Sequence, residues 1–176
     1  LFPGVEVKPR LFRQYPLGSI ASHALGYISR INKNDLLWIE KNEQEANYKG
    51  TDHIGKNGLE KGYEITLHGT TGYEEVEIDA GGRAIRSLSQ TPPIQGNDLT
   101  LTLDTKLQDM AEKVFGDRRG ALVAIEPSTG GILALVSNPT FDPNLFIDGI
   151  RSDDWDDLNN SPDKPLLNRA INGAYP

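Results

Sequence analysis

Ser161-Pro162-Asp163-Lys164 has the S-x-x-K spacing at which a lysine amine takes the proton of a serine nucleophile. That chemistry needs both side chains on one face of the first turn of a helix. Pro162 suits a helix start, but Pro165 directly after Lys164 disfavours the α conformation at the lysine. Ser161 and Lys164 are therefore read as a chance match. No S-x-N or K-T-G triplet occurs anywhere in the chain, so no catalytic residue is assigned within it.

The three histidines, His23, His53 and His68, stand far apart without ligand spacing, so no metal site is expected. Asp153, Asp154, Asp156 and Asp157 around Trp155 lack the offsets and turn glycine of a calcium loop. They read as a solvated acidic loop. Gly55-x-x-Gly58 and Gly69-x-x-Gly72 lack the Lys-Ser/Thr ending of a phosphate-binding loop and read as tight turns. No cofactor is expected.

Behind these residues, the strongest structural signal is Gly120–Ser137. Two apolar, β-branched runs flank Pro127-Ser128-Thr129-Gly130-Gly131, which predicts a β-hairpin. The runs are nearly continuous rather than alternating, so both faces are expected to be buried. Asp98–Leu103 reads as a strand leading into a helix over Thr105–Phe115. That helix has Thr105-x-x-Gln108 as a capping box and Leu107, Ala111 and Val114 inward.

Further upstream, Thr91-Pro92-Pro93 is the best boundary in the chain. Tyr73–Asp79 and Arg83–Leu88 predict a second hairpin with one apolar and one charged face. Gly58–His68 predicts a helix, and Tyr48–Asn57 a polar loop. Asn34–Ala46 predicts a helix capped by Asn34, with a thin stripe of apolar residues. Gly18–His23 suits a helical turn, Ala24–Ile31 a strand, and Leu1–Pro16 a proline-broken edge strand.

A net charge of −7 and a pI near 4.9 make nucleic acid a poor partner. The absence of cysteine excludes disulfides. Mean hydropathy is −0.46, and no apolar run approaches the ~20 residues that span a bilayer. No signal-peptide pattern is present. The sequence starts at Leu1 without an initiator Met and stops at Pro176, and is read as a fragment whose membrane anchor lies outside it.

The wording of the chain resembles class B penicillin-binding proteins, on the side of the cell-elongation enzymes. Glu126-Pro127-Ser128-Thr129-Gly130-Gly131 with Phe141-Asp142-Pro143-Asn144 is similar to the opening hairpin of their transpeptidase domain. Arg13, Tyr15, Pro16 and Gly18, with His23 and Gly26-Tyr27, resemble a motif of the non-catalytic pedestal. So do Gly55, Gly58 and Glu60 in Ile54-Gly55-Lys56-x-Gly58-Leu59-Glu60. Leu167-Asn168-Arg169-Ala170-Ile171-x-Gly173-x-Tyr175-Pro176 resembles the phrase that precedes the family's S-x-x-K serine, expected a few residues beyond Pro176.

The resemblance implies an α+β chain: a mostly β pedestal over residues 1–96, with a helical head over about 31–73, then the start of a serine β-lactamase-like α/β sandwich over 97–176. It implies a parent that cross-links peptidoglycan stem peptides through an acyl-serine and is acylated by β-lactams, with this segment supplying no nucleophile. It places that parent at the periplasmic face of the bacterial inner membrane. Implied pedestal partners are a membrane glycosyltransferase and a rod-complex scaffold protein, with Leu36, Trp38, Ile39 and Tyr48 as the candidate contact. The alternatives are a septal enzyme of the same class and a non-catalytic envelope scaffold.

Overall fold

The computed structural model describes residues 12–174. The edge strand expected over Leu1–Pro16 falls largely outside them. The chain runs through α1 (Ser22–Leu25), β1 (Ile28–Arg30), α2 (Lys33–Lys41), β2 (His53–Gly55), α3 (Gly58–Gly62), α4 (Glu64–His68), β3 (Tyr73–Ile78) and β4 (Ala84–Thr91). It continues with α5 (Thr105–Phe115), β5 (Gly120–Ile125), β6 (Ile132–Asn138), a 3-10 turn (Pro143–Phe146), α6 (Ser152–Asn160) and α7 (Arg169–Asn172). The strands form three antiparallel pairs, β1 with β2, β3 with β4, and β5 with β6. Helix and strand mix throughout, as the α+β reading required.

Helix α2 starts earlier than predicted because Asn32, not Asn34, caps it. Its side chain accepts from the N–H groups of Asn34 (2.9 Å) and Asp35 (3.1 Å), while Asp35 accepts from Asn32 N–H (2.8 Å). Reciprocal satisfaction of these donors fixes the start. One side of the helix buries Ile39 against Tyr48 and Ile54, with Ile31 and Trp38 packed around them. Ile54 belongs to β2, inside the Tyr48–Asn57 stretch whose polar character predicts a loop. The expected strand over Ala24–Ile31 shrinks to β1, which β2 partners.

The single helix expected over Gly58–His68 is two, broken at Tyr63, where φ is −116°. Gly62 weakens the helix just before the break. Tyr63 is exposed, so the predicted Leu59–Tyr63–Leu67 stripe is not the buried one. Glu60 and Glu64 point inward instead.

The hairpin β3–β4 forms as predicted, with register shifts after Glu75 and Glu77. Its expected buried face is not covered: Val76, Ile78, Ile85 and Leu88 are all exposed, and among the described residues no helix packs extensively along the ribbon.

Asp98–Leu103 does not form a strand; these residues lead into an edge contact with β6. Thr102 Oγ1 donates to the Ile132 carbonyl (2.8 Å) and Asp104 N–H to the Leu133 carbonyl (2.9 Å). The cap of α5 is Asp104, which accepts from Lys106 N–H (2.9 Å) and Leu107 N–H (3.1 Å). Gln108, expected in a capping box, is 1% exposed. Its amide donates to the Leu135 carbonyl and accepts from Leu135 N–H, both at 2.8 Å. That side chain completes the outer edge of β6 as a neighbouring strand would.

β5 and β6 pair from Gly120↔Asn138 to Ile125↔Ile132, with a shift after Ala124. Burial on both faces holds only for the second half of β6, where Ala134, Val136, Ser137 and Asn138 are buried. In β5, Leu122, Val123 and Ile125 stay exposed, because α5 and α7 cover the hairpin only in part among the described residues. On α5, Ala111 is inward as expected, but Leu107 and Val114 are exposed. The aspartate cluster lies in a helix, not a loop: Asp153 and Asp154 occupy the first turn of α6, where carboxylates favour the helix dipole.

Candidate functional site

The residues singled out in the N-terminal part converge on two buried carboxylates. Glu60, on α3, accepts from Arg13 Nη2 (2.8 Å) and from the Tyr15 hydroxyl (3.0 Å). Tyr15 Oη in turn accepts from Ile28 N–H (3.0 Å), tying the carboxylate to β1. Glu64, on α4, accepts from the Tyr48 hydroxyl and from Gly55 N–H, both at 2.7 Å. These hydrogen bonds tie β1 and β2 to the two helices through the buried carboxylates.

The glycines follow from that crowding. A Cβ on Gly55 would sit 2.3 Å from the Glu60 carbonyl and 2.7 Å from Glu64 Oε2. Gly58 adopts φ +57°, and a Cβ there would meet Gly26 N at 2.6 Å. Pro16 and Gly18 shape the turn after Tyr15, where Gly18 N–H donates to the Tyr15 carbonyl (3.0 Å).

Burial raises the Tyr15 and Tyr48 hydroxyls far above the usual phenol range, and the adjoining glutamates push the same way. Both therefore stay neutral donors. For Arg13, burial works against the charge, but the bond to Glu60 and its negative field outweigh it and raise the pKa.

A second set of contacts joins this cluster to the C-terminal part. Tyr15 N–H donates to Asn144 Oδ1, and Asn144 Nδ2 donates back to the Tyr15 carbonyl, both at 2.9 Å. Ala21 N–H donates to Glu112 Oε1 (2.9 Å), and Thr140 Oγ1 to the Ser19 carbonyl (2.9 Å). His53 Nε2 meets the Ile147 carbonyl at 2.6 Å. Tyr27 stacks on Phe146 (3.9 Å), while Phe141 stands edge-on to His23, Tyr27 and Phe146 at 5.1–5.9 Å. Such ring pairs add to the area they bury.

His23 sits at this joint nine-tenths buried, and its Nε2 has no hydrogen-bond partner of good geometry. Burial holds its pKa below the ordinary value; the carbonyls of Pro139 and Pro165 pull the other way and Arg169 adds to the depression.

The remaining candidates lie elsewhere. Ser161 ends α6 and Lys164 follows in a turn with φ +45°, its N–H bonded to the Ser161 carbonyl (3.0 Å). On α2, Leu36 is 56% exposed and Leu37 stands beside it, whereas Ile39, and Tyr48 beyond the helix, are buried core residues. Sequence reasoning did not find the partners of Asn144, His53, Gln108 and Arg169, although Asn144 and Arg169 lie within the motifs that carry the resemblance. Among the described residues no cluster of histidine and acidic side chains suits a metal.

Buried carboxylates tie the N-terminal elements together, and an aromatic joint brings them against the hairpin β5–β6 and the turn that follows it. The chain belongs to the penicillin-binding proteins: the family model for the Penicillin-binding Protein dimerisation domain matches residues 1–101, and that for the Penicillin binding protein transpeptidase domain matches 120–176. Within the family its likeness is to penicillin-binding protein 2. It is 52% identical over 175 residues to the peptidoglycan D,D-transpeptidase MrdA of Escherichia coli (strain K12), covering 99% of this chain and 28% of that protein.

Among solved structures, penicillin-binding protein 2 of Pseudomonas aeruginosa, in complex with WCK 5153, matches with a TM-score of 0.80 and 46% identity, over 95% of this chain and 32% of that one. The complex of penicillin-binding protein 2 and MreC from Helicobacter pylori matches with a TM-score of 0.74 and 35% identity, over 90% and 28%. The chain thus spans little more than a quarter of the length of the curated relatives it matches. No helix among the described residues is long and apolar enough to cross a membrane.

Proposed function

We propose that this chain is the pedestal and opening segment of a peptidoglycan D,D-transpeptidase of the cell-elongation type. The parent cross-links stem peptides through an acyl-serine, is a β-lactam target, and acts at the periplasmic face of the inner membrane from a single-pass anchor outside these residues. The observation that carries this reading is the likeness to MrdA, 52% identity over 99% of the chain, which takes in both parts. The division is read at residues 96/97, beside Thr91-Pro92-Pro93, with the head over about 31–73. The nucleophile lies beyond Pro176.

A fluorescent penicillin tests it. The longer natural chain is expected to be labelled at a serine past Pro176, and residues 1–176 alone to stay unlabelled. Labelling of Ser161 would overturn the assignment, as would a longer chain without the serine.

The pedestal's part is to dock partners. The helical head offers Leu36 and Leu37 to an apolar surface, with Trp38 half-buried behind them and Ile39 and Tyr48 supporting from the core. A rod-complex scaffold protein fits this role, since a relative of similar fold is known in complex with MreC; a membrane glycosyltransferase is the second partner proposed. Leu36→Glu is expected to weaken scaffold binding in a pull-down while penicillin labelling persists. Unchanged binding would remove α2 from the interface.

A further inference from the structure

Arg169 is 7% exposed, yet among the described residues no carboxylate pairs with it; the Asp163 carboxylate is taken by Arg119. Its guanidinium instead spans three backbone carbonyls. Nη1 donates to those of Lys164 (3.1 Å) and Leu167 (3.5 Å), and Nη2 to that of Asp163. The loop between α6 and α7 is therefore wound around one buried cation, with Lys164 held at φ +45° inside the turn.

The same residue is pinned to the sheet. Arg169 N–H donates to Ser137 Oγ (2.9 Å), and that hydroxyl donates to the Leu167 carbonyl (3.0 Å). Asn168 caps α7 through Ala170 N–H (3.1 Å) and donates to the His23 carbonyl (3.2 Å). The start of α7 is thus fixed from three sides: by the loop, by the buried end of β6, and by α1. Burying an uncompensated guanidinium is costly, and apolar packing would fill the space at lower cost. A planar fork that meets several acceptors at once is what arginine supplies and lysine does not.

We propose that Arg169 is a positioning residue for the transpeptidase reaction: it sets where, and in which direction, the chain leaves α7 toward the nucleophile. This rests on the reading above, in which the serine follows Pro176. Only a few residues separate α7 from that serine, so an error in the exit of α7 is passed on to the attacking hydroxyl. Misplacement of about 1 Å costs on the order of a hundredfold in rate.

The test uses the longer natural chain with Arg169→Lys, Arg169→Gln and Ser137→Ala, followed with a fluorescent penicillin. Acylation rate is measured against reagent concentration, alongside thermal midpoint. The rate constant at saturation is expected to fall by roughly ten- to a hundredfold in the Arg169 variants, less for lysine than for glutamine. The half-saturating concentration should barely move, because the binding surface is intact. A rate equal to wild type, or one that falls only with the folded fraction, would overturn the proposal. Should the Arg169 variants not fold, Ser137→Ala decides, since it removes one bridge: a slower rate supports positioning and an unchanged one refutes it. Wild-type protein that takes no label would instead overturn the transpeptidase reading itself.

Discussion

Tyr15 and Asn144 hold each other by two hydrogen bonds, each 2.9 Å, across 129 residues of sequence. The asparagine side chain acts on the Tyr15 backbone as a strand partner would, while the Tyr15 hydroxyl reaches the buried Glu60 on the other side. One residue therefore belongs to both halves of the joint.

Asn144→Ala leaves the Tyr15 N–H and carbonyl without their partner. The expected loss is about 2–3 kcal/mol, from two hydrogen bonds and partial desolvation of the orphaned groups. Chemical unfolding of the variant checks it. A loss well under 1 kcal/mol would mean that water replaces the amide.

Gly55→Ala drives a methyl against the Glu60 carbonyl and is expected to cost about 3 kcal/mol or more. Gly62→Ala is the matched contrast. Nothing lies within 4 Å of a Cβ there, and it ends a helix, so a gain of about 0.5 kcal/mol is expected. Opposite signs in the two melting shifts separate crowding from backbone freedom.

Gln108→Glu keeps the acceptor for Leu135 N–H but loses the donor to the Leu135 carbonyl, and sets a carboxylate where the amide had donated to Glu112. A loss of about 2–4 kcal/mol is expected at neutral pH, shrinking in acid as a carboxyl regains its proton. Unfolding at two pH values reads both effects.

His23 supplies the pH dependence. Its folded pKa lies below the ordinary 6.5, chiefly through burial, so the native state holds the neutral ring. Stability from this group is complete above 6.5 and is lost as pH falls through that value toward the folded pKa. Thermal midpoints of wild type should drop between pH 7.5 and 5.5, and His23→Gln should flatten that slope even if its stability at pH 7.5 is lower. An equal slope in both would acquit the histidine.

Local chemistry made much of the fold legible. Glycine-bearing turns announced both hairpins, and α5 forms at its predicted bounds, Thr105–Phe115, although Leu107 and Val114 of its expected inner stripe face out. Reading failed where a polar residue was spent in the interior. Gln108 looked like half of a capping box because its spacing from Thr105 fits one, but its true partner is the backbone of β6. Four aspartates looked like solvated loop, although two of them stabilise the start of α6. Arg13, Tyr15 and Glu60 were picked out by resemblance, and their meeting at one carboxylate is visible only in three dimensions. Pairs such as His53 with Ile147 leave no periodic trace at all, being 94 residues apart.

The long reach of the Tyr15–Asn144 pair has a consequence for biosynthesis. At roughly 5–20 residues per second, the 129 residues between the partners take about 6–26 seconds to emerge. For that interval the early chain carries Tyr27 and His23 without the rings that later enclose them. The newly made N-terminal stretch must therefore wait, half-dressed, for a turn that the ribosome has yet to deliver, and a holding chaperone has its clearest opportunity there.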